Sequence, residues 1–372
     1  MGLPLGLLLL LQQPIIVDGH IDTPQRMLDM RTDVSSRLPD GHIDVPRMQE
    51  GGLTAAFFSI WVDARYAAAN GGAFRRALDL IGAVRALADT NPLVELATTA
   101  DEVRAAAARG HVAVLMGVEG GHAIENSLAK LDSLYRLGAR YMTLTWNNGN
   151  DWAGSSTDPA RQGGLTAFGR RVVRRMNELG MLVDVSHVSD ATFWDVLATT
   201  TRPVIASHSS CRALAHHPRN LSDDQLRAIA KNGGVVGINF YPVFLDEHFR
   251  HEYEALRHRL KPETDAIRAR YRGRPGESAF EVDKLVGERA ESLDVPTIDR
   301  LLDHIDHAVQ VMGIDHVGLG SDFDGISVLP RPMKDVTSLP DFVRALEARG
   351  YSSGDVAKIL GENFLRVLTA DQ

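Results

Sequence analysis

Residues 15–22 read IIVDGHID, and the way this stretch ends decides the fold. An apolar run suited to a strand buried on both faces delivers His20 and Asp22 at its C-terminal end. Four further segments repeat the device. VAVLMGVEG at 112–120 delivers Glu119, MLVDVSH at 181–187 delivers His187, PVIASH at 203–208 delivers His208, and VGLGSDFDG at 317–325 delivers Asp322. These residues are far apart in the chain but share one position on their elements. Parallel α/β barrels build catalytic centres at the C-terminal ends of their strands. The shared position therefore predicts convergence at one barrel mouth.

Working outward from these segments, short apolar runs predict strands at 15–22, 53–62, 111–119, 141–146, 181–188, 203–209, 234–240 and 316–323. Amphipathic stretches at 73–88, 101–109, 125–137, 166–179, 190–199, 223–232 and 297–312 predict helices between them. Thr166 and Gly180 bracket one helix, and Ser189-Asp190 opens the next. The alternation predicts an α/β fold of the (β/α)8 TIM-barrel type, with residues 1–372 as one domain. An open doubly wound sheet is the alternative, but it would place its site at one switch point. Two excursions interrupt the pattern, at 23–52 and at 241–296. The second is a long charged insertion after the seventh strand, where a lid or interface element is expected. The tail 338–368 reads as two helices, and no second core is evident.

Composition narrows the function classes. In 372 residues the apolar fraction is 44%, the charged fraction 24% and the net charge −8, as in a soluble enzyme without a basic face for nucleic acid. The single cysteine, Cys211, rules out an intrachain disulfide and favours a cytoplasmic setting. It reads as a small loop residue, although it lies three positions after His208. The leucine run Leu7–Leu11 resembles a secretory core but lacks a preceding Lys or Arg, and it is too short for a membrane span. It reads as the end of an apolar helix under the barrel, with export as the alternative.

The ligand-type residues have bland readings as well. His20 and Asp22, at i and i+2 of a strand, point to one side and reach one ion, yet such a pair is weak evidence alone. Glu119 ends an apolar strand, where a carboxylate needs a partner: an Arg, or two cations bridged by its two oxygens. His187 and His208 supply imidazoles at equivalent places on adjacent strands, and neutral imidazoles suit zinc. Asp322 is placed to carry a proton between water and a leaving amine, while Asp324 reads as a turn residue. Arg219, in HHPRN, is the leading cation for a substrate carboxylate. His122 and His217 are candidates to support the site. His42, His111, His251, His258, His304 and His307 read as solvated or capping residues.

Taken together, DGHIDTP, GVEGGHAIEN, GLTAFGRRVVRRMNELGMLVDVSHVS, PVIASHSSCRAL, HPRN and VGLGSDFDGI resemble the membrane dipeptidase (renal dipeptidase) family, the M19 metallopeptidases of the amidohydrolase superfamily. The resemblance runs from about Ile15 to Leu368. It implies a dipeptidase with two zinc ions, one held by His20, Asp22 and Glu119, the other by Glu119, His187 and His208. A hydroxide shared by the ions would attack the peptide bond, Arg219 would meet the dipeptide's carboxylate, and a D-residue would be tolerated at the C-terminal position. A homodimer is implied as well. One departure stands out. Where the family carries a histidine after the fourth strand, this chain reads LTW, with Trp146. The resemblance gives that histidine contacts to substrate and to the tetrahedral oxyanion; an indole offers one donor and no positive charge, so the metals, the Trp146 N–H, Asn147 or Asn150 are expected to replace it. The competing readings are a hydrolase of another small amide, N-acyl amino acid or lactone, and a non-catalytic metal-binding relative.

Overall fold

Along Leu53–Trp61 the side chains alternate between two environments. Ala55 and Phe57 pack in one apolar cluster with Val17, Ala113, Leu115, Tyr141, Leu182, Ile205 and Val235, whereas Ala56, Phe58 and Ile60 join the larger cluster beneath the helices. The first set draws on one strand after another, so it fills the inside of a barrel. In the computed structural model, which describes residues 14–67 and 72–369, the strands are β1 (Ile16–Ile21), β2 (Leu53–Trp61), β3 (Val94–Leu96), β4 (Val112–Glu119), β5 (Ala139–Thr143), β6 (Leu182–Asp184), β7 (Val204–Ser209), β8 (Val235–Ile238) and β9 (Val317–Leu319). The Leu7–Leu11 run lies outside the described residues. All pairings are parallel, in the order β2-β1-β9-β8-β7-β6-β5-β4, and β2 pairs with β4 from Ala55↔Ala113 to Trp61↔Glu119 to close the ring. The (β/α)8 barrel expected from the alternation is the fold observed.

Three differences from the sequence reading have physical causes. β3 was not anticipated: it is three residues long and only partly buried, too short to show a period. It pairs with the first half of β4, on the edge that β5 takes over higher up. β5 starts and ends earlier than 141–146, so Trp146 lies in the loop beyond it. β6 ends at Asp184, so His187 lies three residues past its strand, at φ 68°; Asp322 lies three past β9, at φ 65°. Left-handed backbone is uncommon outside glycine and tends to persist where function requires it.

Helix ends follow the signals in the sequence. The Thr166 side chain accepts from the Gly169 N–H, Gly180 closes that helix at φ 78°, and Ser189 accepts from Thr192. The tail forms the helix Leu339–Ala348 and a second helical run, 353–369, with a π-helical turn at Lys358–Glu362. Phe364 from this run packs with Phe57 at the lower end of the barrel. The insertion folds into four helices, Pro242–Leu245, Glu247–Arg259, Lys261–Arg270 and Pro275–Ala290. It carries a small apolar cluster of its own, including Phe249, Tyr253, Leu256, Val282 and Val286, which its dense charge concealed in the sequence. Among the described residues no helix is long and apolar enough to cross a membrane.

One glycine links this packing to the barrel mouth. A Cβ at Gly117 would lie 2.0 Å from the Tyr141 ring, which crosses the barrel interior at that level. The ring carries its hydroxyl to His20 Nδ1, 2.8 Å away. Gly117→Ala is therefore expected to destabilise the fold by about 1–3 kcal/mol through overpacking, and to weaken metal retention by displacing Tyr141. Denaturant melts together with metal analysis check this; an unchanged midpoint with unchanged metal content would contradict it.

Candidate metal centre and active site

The C-terminal ends of the strands open into a cleft of about 1160 Å³. Asp22, Glu119, His187, His208, Arg219 and Asp322 line its floor, and residues of the helix Pro275–Ala290 line one side. Glu119, the last residue of β4, is 3% exposed. Its Oε2 lies 3.3 Å from His20 Nε2 and accepts from the Ser59 hydroxyl at 3.1 Å. Its Oε1 lies 2.9 Å from His187 Nε2 and 3.8 Å from His208 Nε2. Asp22 Oδ2 is 3.6 Å from His20 Nε2, in a space that only a glycine at 325 leaves open, since a Cβ there would lie 2.1 Å from that oxygen.

The donor chemistry fits two cations. Each of the sets His20–Asp22–Glu119, Glu119–His187–His208 and His20–His208–Asp322 has its ligand atoms within 4.8 Å of one another. His20 Nε2 and Asp22 Oδ1 are buried with no hydrogen-bond partner. Nε2 of His187 and Nε2 of His208 face each other at 3.0 Å across Glu119 Oε1. Burial, aided by the nearby Arg219 charge, pushes His187 down to about 4. Burial and then the His20 charge hold His208 well below its usual range. Both imidazoles are thus neutral, the form a metal needs. Against its own burial, the Glu119 carboxyl is held well below the carboxylate range by His20 and His187. His20, against its own burial, is raised well above the usual imidazole range by Tyr141 and by the Glu119 and Asp22 carboxylates, so a cation bound there would take the place of its proton.

Behind the donors lies a shell of hydrogen bonds that fixes their orientation. Asp184 accepts from the backbone N–H groups of Ser186 and Ser207 on one oxygen, and from the hydroxyls of Thr143 and Ser207 on the other. The Ser207 hydroxyl has one proton and gives it to Asp184, so its oxygen is left to accept from His208 Nδ1 at 2.7 Å. His208 then carries its proton on Nδ1 and presents a lone pair on Nε2 to the cluster. Tyr141 supports His20 in the same way from across the barrel.

Asp322 is oriented by Asn239, whose side-chain amide donates to Oδ2 at 3.0 Å, and by its own N–H bonded to the His20 carbonyl. Burial and the adjacent Asp22 carboxylate push it up to about 7, so it can exchange a proton near neutrality. Arg219 is 4% exposed. It donates to the His208 carbonyl at 3.2 Å and lies over the Phe244 ring, and its Nε has no partner. Burial lowers it to about 10, so it remains a cation. No carboxylate among the described residues pairs with it at ion-pair distance.

The other sequence candidates separate clearly. Trp146 and Asn147 line the cleft, and Trp146 packs edge-on against Trp61. Asn150 does not line it: its amide donates to the Leu144 carbonyl and its carbonyl accepts from the Trp152 and Ala153 N–H groups, so it shapes the loop. His217 Nδ1 accepts the Arg219 N–H, and His122 is spent on the Val62 carbonyl. Cys211 is buried with its thiol on the His304 carbonyl, away from the donors. His304 and His42 are not solvated as expected. His304 bridges Cys211 N–H and the Leu245 carbonyl, and His42 accepts from Asp324 N–H at the cleft edge. Asp324 is more than a turn residue, since Thr23 and the His42 N–H both donate to it. Sequence reasoning missed Ser59, Tyr141, Asp184, Ser207 and Asn239. Their signal was a polar residue within an otherwise apolar strand, as in AAFFSIW and MLVDVS.

Comparison with known proteins gives concordant results. The sequence model of the family described as membrane dipeptidase (Peptidase family M19) matches residues 8–372. The probable dipeptidase PvdM from Pseudomonas aeruginosa is 27% identical, with a TM-score of 0.83 over 97% of this chain and 96% of that one. A metallo peptidase from Rhodobacter sphaeroides, solved with a phosphinate mimic of the dipeptide L-Ala-D-Ala, is 28% identical, with a TM-score of 0.77 over 97% of this chain and 100% of that one. A metallo peptidase of family M19 described as dipeptidase AC is 28% identical, with a TM-score of 0.77 over 96% of this chain and 98% of that one.

The hydrogen-bond chain behind His208 makes a specific demand. In Asp184→Asn an amide donor can face Ser207, turn its hydroxyl toward His208 Nδ1 and leave a proton on Nε2. Metal affinity is expected to fall by about 10- to 100-fold, while Asp184→Glu retains part of it. Competition against a chelator measures this, and wild-type affinity in the Asn variant would contradict the chain.

Proposed function

Because this chain belongs to the membrane dipeptidase family, peptidase family M19, we propose that it hydrolyses the peptide bond of dipeptides with two zinc ions and accepts a D-residue at the C-terminal position. The observation that carries this reading is Arg219: a buried guanidinium without an acidic partner among the described residues, hydrogen-bonded to the backbone of His208 in the donor cluster and facing the cleft. Such a cation so close to the donor cluster suits a substrate whose free carboxylate lies one residue from the scissile bond. It suits a longer peptide or a neutral lactone poorly, because the charge would then be left desolvated and unpaired. The Rhodobacter sphaeroides relative, liganded with an L-Ala-D-Ala mimic, supports the tolerance of a D-residue.

His20, Asp22 and Glu119 would hold one ion, and Glu119, His187 and His208 the other. Bound there, zinc supplies Lewis-acid polarisation of the carbonyl and makes water acidic enough to attack at neutral pH. The protein's own groups do the rest. Arg219 fixes the carboxylate in bidentate fashion and so sets the peptide bond over the floor of the cleft. Asp322, held by Asn239, takes a proton from the attacking water and returns it to the leaving nitrogen. The helix Pro275–Ala290 flanks the cleft and limits the water around these charges.

The fitting assay is a dipeptide panel with zinc removed by chelation and then restored. Release of amino acids should vanish and return, and a folded, zinc-loaded protein that cleaves no dipeptide would refute the reading. Asp322→Asn should lose turnover while keeping its metal content; a wild-type rate would remove Asp322 from proton transfer. Arg219→Met should raise KM on the order of 10- to 100-fold, the value of one or two charged hydrogen bonds. The same variant should cease to distinguish a dipeptide from its C-terminal amide.

A further inference from the structure

Trp61 is the last residue of β2 and stands level with Glu119 of β4 in the register that closes the barrel. It lies two residues beyond Ser59, whose hydroxyl reaches Glu119, so both side chains point into the mouth. Trp146, from the loop after β5, packs edge-on against it, with ring centroids 4.9 Å apart and planes at 70°. Both are partly exposed to the cleft. Among the described residues Asp63 pairs with Arg65, and Gln25 bonds the Trp61 carbonyl and Arg76, while the buried Trp61 indole N–H has no partner. The ring surfaces of the pair present an aromatic wall directly beside the donor cluster.

Topology says what that wall faces. Around the ring β2-β1-β9-β8-β7-β6-β5-β4, β2 and β7 are four strands apart in either direction. Arg219, bonded to the carbonyl of His208 on β7, is thus across the mouth from Trp61. A dipeptide with its carboxylate on Arg219 and its peptide bond over Glu119 must extend its N-terminal residue toward β2 and β4. Its amine has Asp22 and Asp322 to meet. Its side chain is left to the indoles.

We infer that Trp61 and Trp146 form the subsite for the N-terminal side chain and make this enzyme selective for dipeptides that begin with a large apolar or aromatic residue. The inference rests on the dipeptide reading. It also gives Trp146 a role other than donor to the reacting oxygen: its ring, held by Trp61, acts as a contact surface. Aromatic contact and burial of a few methylene equivalents are worth about 10- to 100-fold in kcat/KM.

The test compares kcat/KM for Gly-L-Ala, L-Glu-L-Ala, L-Leu-L-Ala and L-Phe-L-Ala. Wild type should favour the last two over the first two by about 10- to 100-fold. Trp61→Ala and Trp146→Ala should flatten that ratio with zinc content unchanged, and Trp61→Phe and Trp146→Phe should keep it. If wild type cleaves all four at similar kcat/KM, or the Ala variants retain the preference, the subsite is refuted while the dipeptidase reading stands. If no dipeptide is cleaved, both fall.

Discussion

A carboxylate sealed between three imidazoles is the constraint on which the rest of this structure depends. Glu119 is 3% exposed and has the Nε2 atoms of His20, His187 and His208 within 3.8 Å. Removing a carboxylate from water costs several kcal/mol, on the order of what a small domain has to spare. Ser59 donates one hydrogen bond to it, and of the imidazoles around it His187 and His208 are held neutral, while Tyr141 and the neighbouring carboxylates raise His20 against its burial. Cations placed among these groups would also give partners to His20 Nε2 and Asp22 Oδ1, which have no hydrogen-bond partner among the described residues. The cluster is thus suited to metal.

The barrel supplies the geometry. Closing β2 onto β4 brings Ser59 and Trp61 to Glu119, and the missing side chain at Gly117 lets Tyr141 cross the interior to His20. On the opposite side Asp184 gathers the ends of β6 and β7 and, through Ser207, sets the proton on His208. His187 and Asp322 reach the centre from beyond their strands, and each turns inward through left-handed backbone. Scaffold and chemistry are therefore joined through a few buried polar side chains, whose partners are fully specified.

Much of this was legible in the sequence because it is local. Apolar runs ending in His20, Glu119 and His208 mark strand ends directly, and the caps at Thr166, Gly180 and Ser189 mark helix limits. What was hidden is non-local or short. β3 is too brief to carry a period, and Asp184 looks like an interruption of an apolar run until its partners on β5 and β7 are in place. Asn150 looked like a substrate contact because of its neighbours, but its amide is used by the turn. Nothing in the linear order of Trp61 and Trp146 shows that closure of the barrel makes them one surface.

The most direct test of the central claim is anomalous diffraction from crystals of the zinc-loaded protein, recorded on either side of the zinc edge. Two anomalous peaks flanking the Glu119 carboxylate, one against His20 and Asp22 and the other against His187 and His208, are the predicted result. A single peak, or peaks that leave Glu119 outside the coordination sphere, would contradict it.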